Sequence, residues 1–391
     1  MKMPKRALLP VLVLCLWTCL LPAPARPEEG APLSGGPEVT ELTEQGRSAI
    51  VRGLAWLASK QEPNGSWKAN VGYKLNDGYV VQHDGVSHVG VTALAGMAFL
   101  AAGHVPGRGK YGAQVEGAIR YILSCVNRQD GMIADNDSRM YSHAFATLFL
   151  AEVYGMTRDS SVKTALERAT EFTWKCQNST GGWRYVPFAA DSDMSITVCQ
   201  VMALRSARNI GIRIPKETID RAVNYVLMSA HTDPFDDPGS FDYQWRSENP
   251  IATRTSFALT AAGLATLYSA GLYTDEDILK HIRAHRIDRF LRGDAPPRIE
   301  MILRELRNTY RTTQTRHYFF YYGNYYAVQA MFVAGGKAWE EYFSRVQSDL
   351  VDLQQPDGHW PIDVPVGTAY ATASACLILS IPYRYLPIFQ R

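Results

Sequence analysis

The chain has 391 residues, 46% of them hydrophobic and 20% charged, which suits a globular protein with a sizeable core and excludes an intrinsically disordered one. Its formal net charge is +2 and it contains no basic run, so nothing in the charge pattern offers a surface to nucleic acid.

The opening, MKMPKRALLPVLVLCLWTCLLPAPA, sets Lys2, Lys5 and Arg6 before an apolar run from Ala7 to Leu21 and a small-residue Ala23-Pro24-Ala25. That order predicts a secretory signal peptide over 1–25, cut near Ala25, and hence an exported protein, periplasmic or extracellular. The apolar run is short for a membrane span and ends in prolines. Cys15 and Cys19 lack the small residue that usually precedes a lipid-anchor cysteine. Residues 26–43 begin Pro- and Gly-rich and are expected to be a flexible lead-in. Residues 44–391 are expected to form a single domain, with no segment long and charge-free enough to cross a membrane. Cys125, Cys176, Cys199 and Cys376 lie in apolar helical contexts without a CxxC pair, which predicts buried free thiols, one disulfide being the alternative in an oxidising compartment.

From residue 44 onward the chain repeats itself. QEPNGSW (Gln61–Trp67), QNSTGGW (Gln177–Trp183) and QQPDGHW (Gln354–Trp360) share Gln, three residues, Gly, one residue and Trp. NRQDGMI (Asn127–Ile133) is a worn copy, and FDDPGSF (Phe235–Phe241) keeps the Gly-x-aromatic part. An amphipathic helix is expected before each unit and a helix apolar nearly all round after it, such as GRSAIVRGLAWLASK before the first and HVGVTALAGMAFLAAG after it. Amphipathic segments begin near 44, 110, 162, 215, 277 and 338, and apolar ones near 88, 141, 194, 252, 322 and 369. The alternation predicts an all-α fold, an (α/α)6 toroid of six outer and six inner helices, with an extra helix in the charged stretch after Ile278. The last residues, IPYRYLPIFQR, are expected to run as an extended strap.

The Gln-x-x-x-Gly-x-Trp units resemble the QW motifs of the prenyltransferase and squalene oxidase repeat proteins. These include squalene-hopene cyclases, class II terpene cyclases and the β subunits of protein prenyltransferases. The resemblance covers about 44–391 and implies the same toroid, with the motif Gln and Trp tying a loop to neighbouring helices. DSDMSITVCQ (Asp191–Gln200) also resembles the Asp-x-Asp-Asp-Thr-Ala motif of class II terpenoid cyclases, at the matching place before an inner helix. By that resemblance Asp193 is the acid that protonates a double bond or epoxide and Asp191 tunes it, on an isoprenoid or other apolar ligand. Two carboxylates close together in an apolar cavity cannot both ionise cheaply, which fits that role. The fourth motif position departs from the pattern, being Met194. The residues alone also allow Asp193 or Ser195 to be a plain N-cap of the following helix.

In a toroid the loops entering the inner helices open on one end of the central cavity, which gathers His88, His143, Trp183, Tyr185, Arg254, Tyr322, Tyr325 and Tyr326 as candidate ligand contacts. The aromatic faces among them would stabilise cationic intermediates. No cofactor is expected. The prenyltransferase zinc set, an Asp-x-Cys pair and a later His, is not matched, so no metal is expected and the two histidines suit a polar rim or a hydrogen-bonded core. Two other functions stay open: a non-catalytic binding or scaffold protein, and a secreted polysaccharide lyase or glycosidase. In the latter HYFFYYGNYY (His317–Tyr326) would stack on sugars and Asp135 with Asp193 would serve as acid and base.

Overall fold

Two kinds of helix alternate along the chain, and burial separates them. The computed structural model describes residues 41–75, 78–230, 241–245, 256–269 and 319–386, all within one compact unit from Pro37 to Arg391. The expected signal peptide, most of the lead-in, Arg254 and the charged stretch after Ile278 lie outside the described residues. The described helices are α1 (Glu44–Lys60), α2 (Val89–Ala101), α3 (Gly112–Ser124), α4 (Met140–Thr157), α5 (Ser160–Lys175), α6 (Met194–Asn209), α7 (Lys216–Met228), α8 (Phe257–Ser269), α9 (Phe320–Ala334), α10 (Gly336–Leu353) and α11 (Thr368–Ser380). In α5, Asp159 caps the start by accepting from the Ser161 and Val162 amides, and Lys163–Glu167 and Glu171–Lys175 pairs line its wet face. Only one stripe of it is buried. Every residue of α2 is buried.

The helices buried nearly all round form a closed inner ring, α2 to α4 to α6 to α8 to α9 to α11 and back to α2. The predicted closure is therefore present. The outer helices pack chiefly on the inner helix before them: α3 on α2, α5 on α4, α7 on α6 and α10 on α9. Helix α1 packs on α11, so the two ends of the folded chain meet. The sixth outer partner, expected near 277, lies outside the described residues.

The fold adds one element that helical periodicity could not show. Strands β1 (Lys68–Leu75) and β2 (Gly78–Ser87) pair antiparallel between α1 and α2, in register from Lys68 opposite Ser87 to Leu75 opposite Gly78, with irregularities on either side of Val71. The signal was local: Asn76-Asp77-Gly78 lies between two runs rich in Val and Tyr. Asn70 fastens the hairpin to the loop before α11, its amide donating to Val366 O at 2.7 Å and its side chain to Pro365 O at 3.1 Å. The C-terminal strap opens as a single 3-10 turn, Ile381–Tyr383, rather than extended, because Pro382 fixes its φ in the helical range.

The repeated units do one mechanical job three times. The side-chain amide of Gln61 donates to Gly65 O at 3.0 Å and to Gln114 O of α3 at 2.8 Å. Gln177 does the same with Gly181 O (2.7 Å) and Thr218 O of α7 (2.9 Å). Gln354 joins Gly358 O (2.8 Å) to Ala49 O of α1 (2.8 Å), and so carries the tie across the seam of the ring. The indoles of Trp67, Trp183 and Trp360 are buried, and each donates to a carbonyl ten residues upstream, Leu57 O, Thr173 O and Leu350 O. Each Trp amide in turn donates to a threonine in the first turns of the next inner helix, Thr92, Thr197 or Thr372. The loop glycine must be Gly: Gly358 has φ 102°, and a Cβ there would lie 2.6 Å from Arg52 O of α1.

Gly358→Ala is therefore expected to lower unfolding free energy by about 1–3 kcal/mol, by strain and a lost tie. Gly336→Ala, also at positive φ but with open space around it, tests strain alone and is expected to cost less. Urea unfolding decides the matter, and equal losses at both sites would mean that the contact with α1 contributes nothing.

Candidate functional site

The N-terminal ends of the inner helices converge on one cavity of about 300 Å³. Tyr73 and Tyr79 reach it from the hairpin, Tyr141 from α4, and Tyr185 and Tyr243 from the loops around α6 and α8. Tyr321, Tyr322, Tyr325 and Tyr370 complete the aromatic wall from α9 and α11. The rings hold one another edge-on, as in Tyr141 with Tyr322 at 6.4 Å and Tyr325 with Tyr326 at 5.0 Å between centroids. Polar groups in the wall are His88, Arg139 and several serines, and among the described residues no carboxylate lines it.

The aspartate pair lies behind this wall. Asp193 is fully buried and caps α6: its Oδ1 accepts from the Ile196 amide at 3.0 Å and from the Ser195 hydroxyl. Its Oδ2 accepts from Arg184 Nη1 at 2.9 Å. Arg184 also donates from Nε to Asp191 at 3.1 Å and from Nη1 to the Tyr243 hydroxyl, which itself bonds that of Tyr185. Burial pushes the Asp193 carboxyl above its usual range, while Arg184 and the two cap donors pull against that. Burial would depress the Arg184 guanidinium, but Asp193 and the neighbouring tyrosines overrule it and hold it above its ordinary value. With both oxygens occupied and a guanidinium in contact, the group is one half of an ion pair. Asp191 is largely exposed, its side chain 60% accessible.

The other expected contacts divide. The cavity brings together His88, Tyr185, Tyr322 and Tyr325; Tyr326 stands behind them, packed on Tyr322 with its hydroxyl against Cys199 Sγ at 3.2 Å. Trp183 is held in the loop tie described above, away from the wall. His143 is also in the core: Nδ1 accepts from the Ile133 amide at 3.0 Å, and Nε2 meets Thr173 Oγ1 at 2.8 Å. Burial pushes it down to about 4. The worn repeat explains it, because His143 stands four residues after the cap position, where the other repeats place Thr92 and Thr197. Aligning the repeats would have found this.

Asp363, in the loop before α11, was not legible beforehand, since an acid in a proline-flanked loop carries no periodic signal. Its Oδ2 accepts the Tyr321 amide at 3.1 Å at the start of α9, and its buried Oδ1 has no hydrogen-bond partner among the described residues. Burial raises it to about 7 against the pull of surrounding backbone amides. The cysteines Cys125, Cys176, Cys199 and Cys376 are free thiols, and no group of His, Cys, Asp and Glu among the described residues is placed to hold a metal ion. No described helix is long and apolar enough to cross a membrane.

No protein-family model and no curated protein sequence matches the chain. Solved structures do match in fold. An inactive variant of the α-1,6-mannanase GH76A of Salegentibacter sp. HEL1_6, in complex with α-1,6-mannotriose, aligns with a TM-score of 0.60 at 10% identity over 86% of this chain and 98% of that one. A D-mannose isomerase aligns at 0.57 and 12% identity, over 86% and 97%. A variant of the type II terpene cyclase MstE from Scytonema, in complex with geranylgeranyl dihydroxybenzoate, aligns at 0.47 and 14% identity, over 88% and 98%. The first two likenesses show the α/α toroid.

Two outcomes follow from the electrostatics. Arg184→Met strands a buried charge and is expected to cost about 3–5 kcal/mol, most of it recovered when Asp193→Asn is added; additive losses in that double-mutant cycle would mean no ion pair. For Asp363, the folded value of about 7 lies above the ordinary 3.8, so between those pH values the folded state keeps a proton that the unfolded chain has lost. Its contribution to stability therefore falls as pH rises through that window. Urea midpoints should show Asp363→Asn gaining on the wild type from pH about 4 to about 7, whereas a flat difference would mean ordinary titration.

Proposed function

We propose that this chain is an exported α/α-toroid protein that takes a small, predominantly apolar molecule of isoprenoid type into the tyrosine-lined centre of its ring. The observation that carries this reading is the composition of the wall: nine tyrosines, aliphatic side chains and no carboxylate among the described residues. Tyrosine rings give a large, stiff contact area at little entropic cost, and their faces suit hydrocarbon and double bonds alike. In this reading Asp193 and Asp191 are positioning residues. They hold Arg184 under Tyr185 and Tyr243, with its guanidinium 4.8 Å from the Tyr185 ring centre, and so fix the shape of the wall.

A sugar is the second reading, favoured by the fold shared with a mannanase that binds mannotriose. Stacked tyrosines suit the CH face of a pyranose. Sugar hydroxyls stripped of water need acceptors and donors of their own, however, and glycoside cleavage needs two carboxyl groups flanking the bond. The described wall offers hydroxyl, imidazole and guanidinium groups for the first need, but no carboxyl group for the second.

Mass spectrometry of an organic extract of the natively exported protein is expected to find a polyisoprenoid or other apolar molecule. Leu94→Trp, which fills the cavity from α2, should abolish it while the circular dichroism is unchanged. Sugars alone in the wild-type protein, or an extract identical in Leu94→Trp, would overturn the reading.

A further inference from the structure

The cavity wall is one-sided in charge. In two repeats the residue before the inner helix is an acceptor that caps it: His88 Nδ1 receives the Val91 amide at 3.3 Å, and Asp193 Oδ1 receives the Ile196 amide at 3.0 Å. The equivalent residue of α4 is Arg139, four before His143. A guanidinium cannot accept a hydrogen bond, so α4 begins without a side-chain cap. A conventional cap is thus replaced by a cation, and that cation lines the cavity.

Arg139 is not spent elsewhere. Its guanidinium lies 4.8 Å over the ring of Tyr73 and makes one long bond, 3.4 Å, to Gln82 Oε1. Among the described residues no carboxylate is within ion-pair distance of it. The three acids of its own loop are engaged: Asp130 accepts the Met132 amide at 2.9 Å, Asp135 accepts from the Tyr121 hydroxyl at 2.7 Å and from Ser138 at 2.9 Å, and Asp137 meets His83 Nε2 at 2.8 Å. His88 adds a donor. Because its Nδ1 accepts the Val91 amide, the neutral ring carries its proton on Nε2, and the ring lies in the cavity wall. The inner helices also point their N-termini at this end, and each places partial positive charge there. A cation, a ring N–H and converging helix dipoles face a volume with no carboxylate in its described wall.

We propose that the ligand carries one anionic group, a carboxylate or a phosphate, which Arg139 binds at the start of α4 with the His88 Nε2–H, while its apolar body lies among the tyrosines. This rests on the apolar-ligand reading above and adds the head group to it.

Calorimetric titration with decanoate, decyl phosphate and decanol, each below its micelle concentration, tests the two ideas separately. At least one of the anions should bind the wild type about tenfold or more tighter than decanol, the gain of a charge-assisted hydrogen bond. The tighter of the two identifies the head group. Arg139→Gln should erase the preference and leave decanol unchanged, and Arg139→Lys should keep part of it. In the wild type, raising salt from about 0.05 to about 0.5 M should weaken the anions and not decanol, which holds the test open even if a variant fails to fold. Decanol equal to both anions, or Arg139→Gln weakening all three alike, overturns the anion inference alone. Failure of all three to bind overturns the apolar-ligand reading with it.

Discussion

A glutamine amide that donates twice, once to its own loop and once to the next outer helix, is the interaction on which the ring depends. Gln61, Gln177 and Gln354 each stand in a turn that closes on itself through backbone hydrogen bonds, and each adds the bond that ties this turn to the next outer helix. Both hydrogens of one side-chain nitrogen are used, so the loop and the neighbouring helix are fixed relative to each other and not only to solvent. The glycine four residues later then allows the loop to lie against that helix backbone at a distance no Cβ would permit. Gln354 matters most for topology, since its partner Ala49 lies in α1 and the bond joins the last repeat to the first.

That tie also explains where the site is. Each Trp amide bonds a threonine in the first turns of the inner helix that follows, so every tied loop delivers an inner-helix N-terminus to the same end of the ring. The cavity is what remains where those N-termini meet, and its chemistry is set by the residues at and just after the cap positions. Substitution there changes the wall without disturbing the tie. His88 and Arg139 show this within the wall and Asp193 just behind it: one position in three repeats gives a ring donor, a cation and a buried ion-paired cap.

The worn repeat shows how the frame tolerates loss. Ile133 has no indole to send to an outer helix, and His143 replaces threonine beneath it. One imidazole nitrogen accepts the Ile133 amide, doing the work of the threonine hydroxyl, and the other reaches Thr173 of α5, an outer-helix bond that the threonines of the other repeats do not make among the described residues. Burial at this point favours the neutral form, which keeps one nitrogen an acceptor.

By itself the sequence determined the alternation of half-apolar and fully apolar helices, the six inner helices of the ring and the identity of the tying loops, because periodicity and Gln-x-x-x-Gly-x-Trp spacing are local and read directly as burial. It named His88, Tyr185, Tyr322 and Tyr325 at the cavity for the same reason: the loop before an inner helix has only one end of the ring to face. It could not say that Asp193 has its two oxygens filled by Arg184, Ser195 and a backbone amide, or that the Trp183 indole bonds α5 and does not line the cavity. The orphaned Asp363 oxygen and the lack of a carboxylate partner for Arg139 among the described residues were equally out of reach. Those facts depend on which side chain from another repeat occupies the space beside each group, and residues far apart in the chain, such as Tyr321 and Asp363 or Arg139 and Tyr73, become neighbours only when the ring closes.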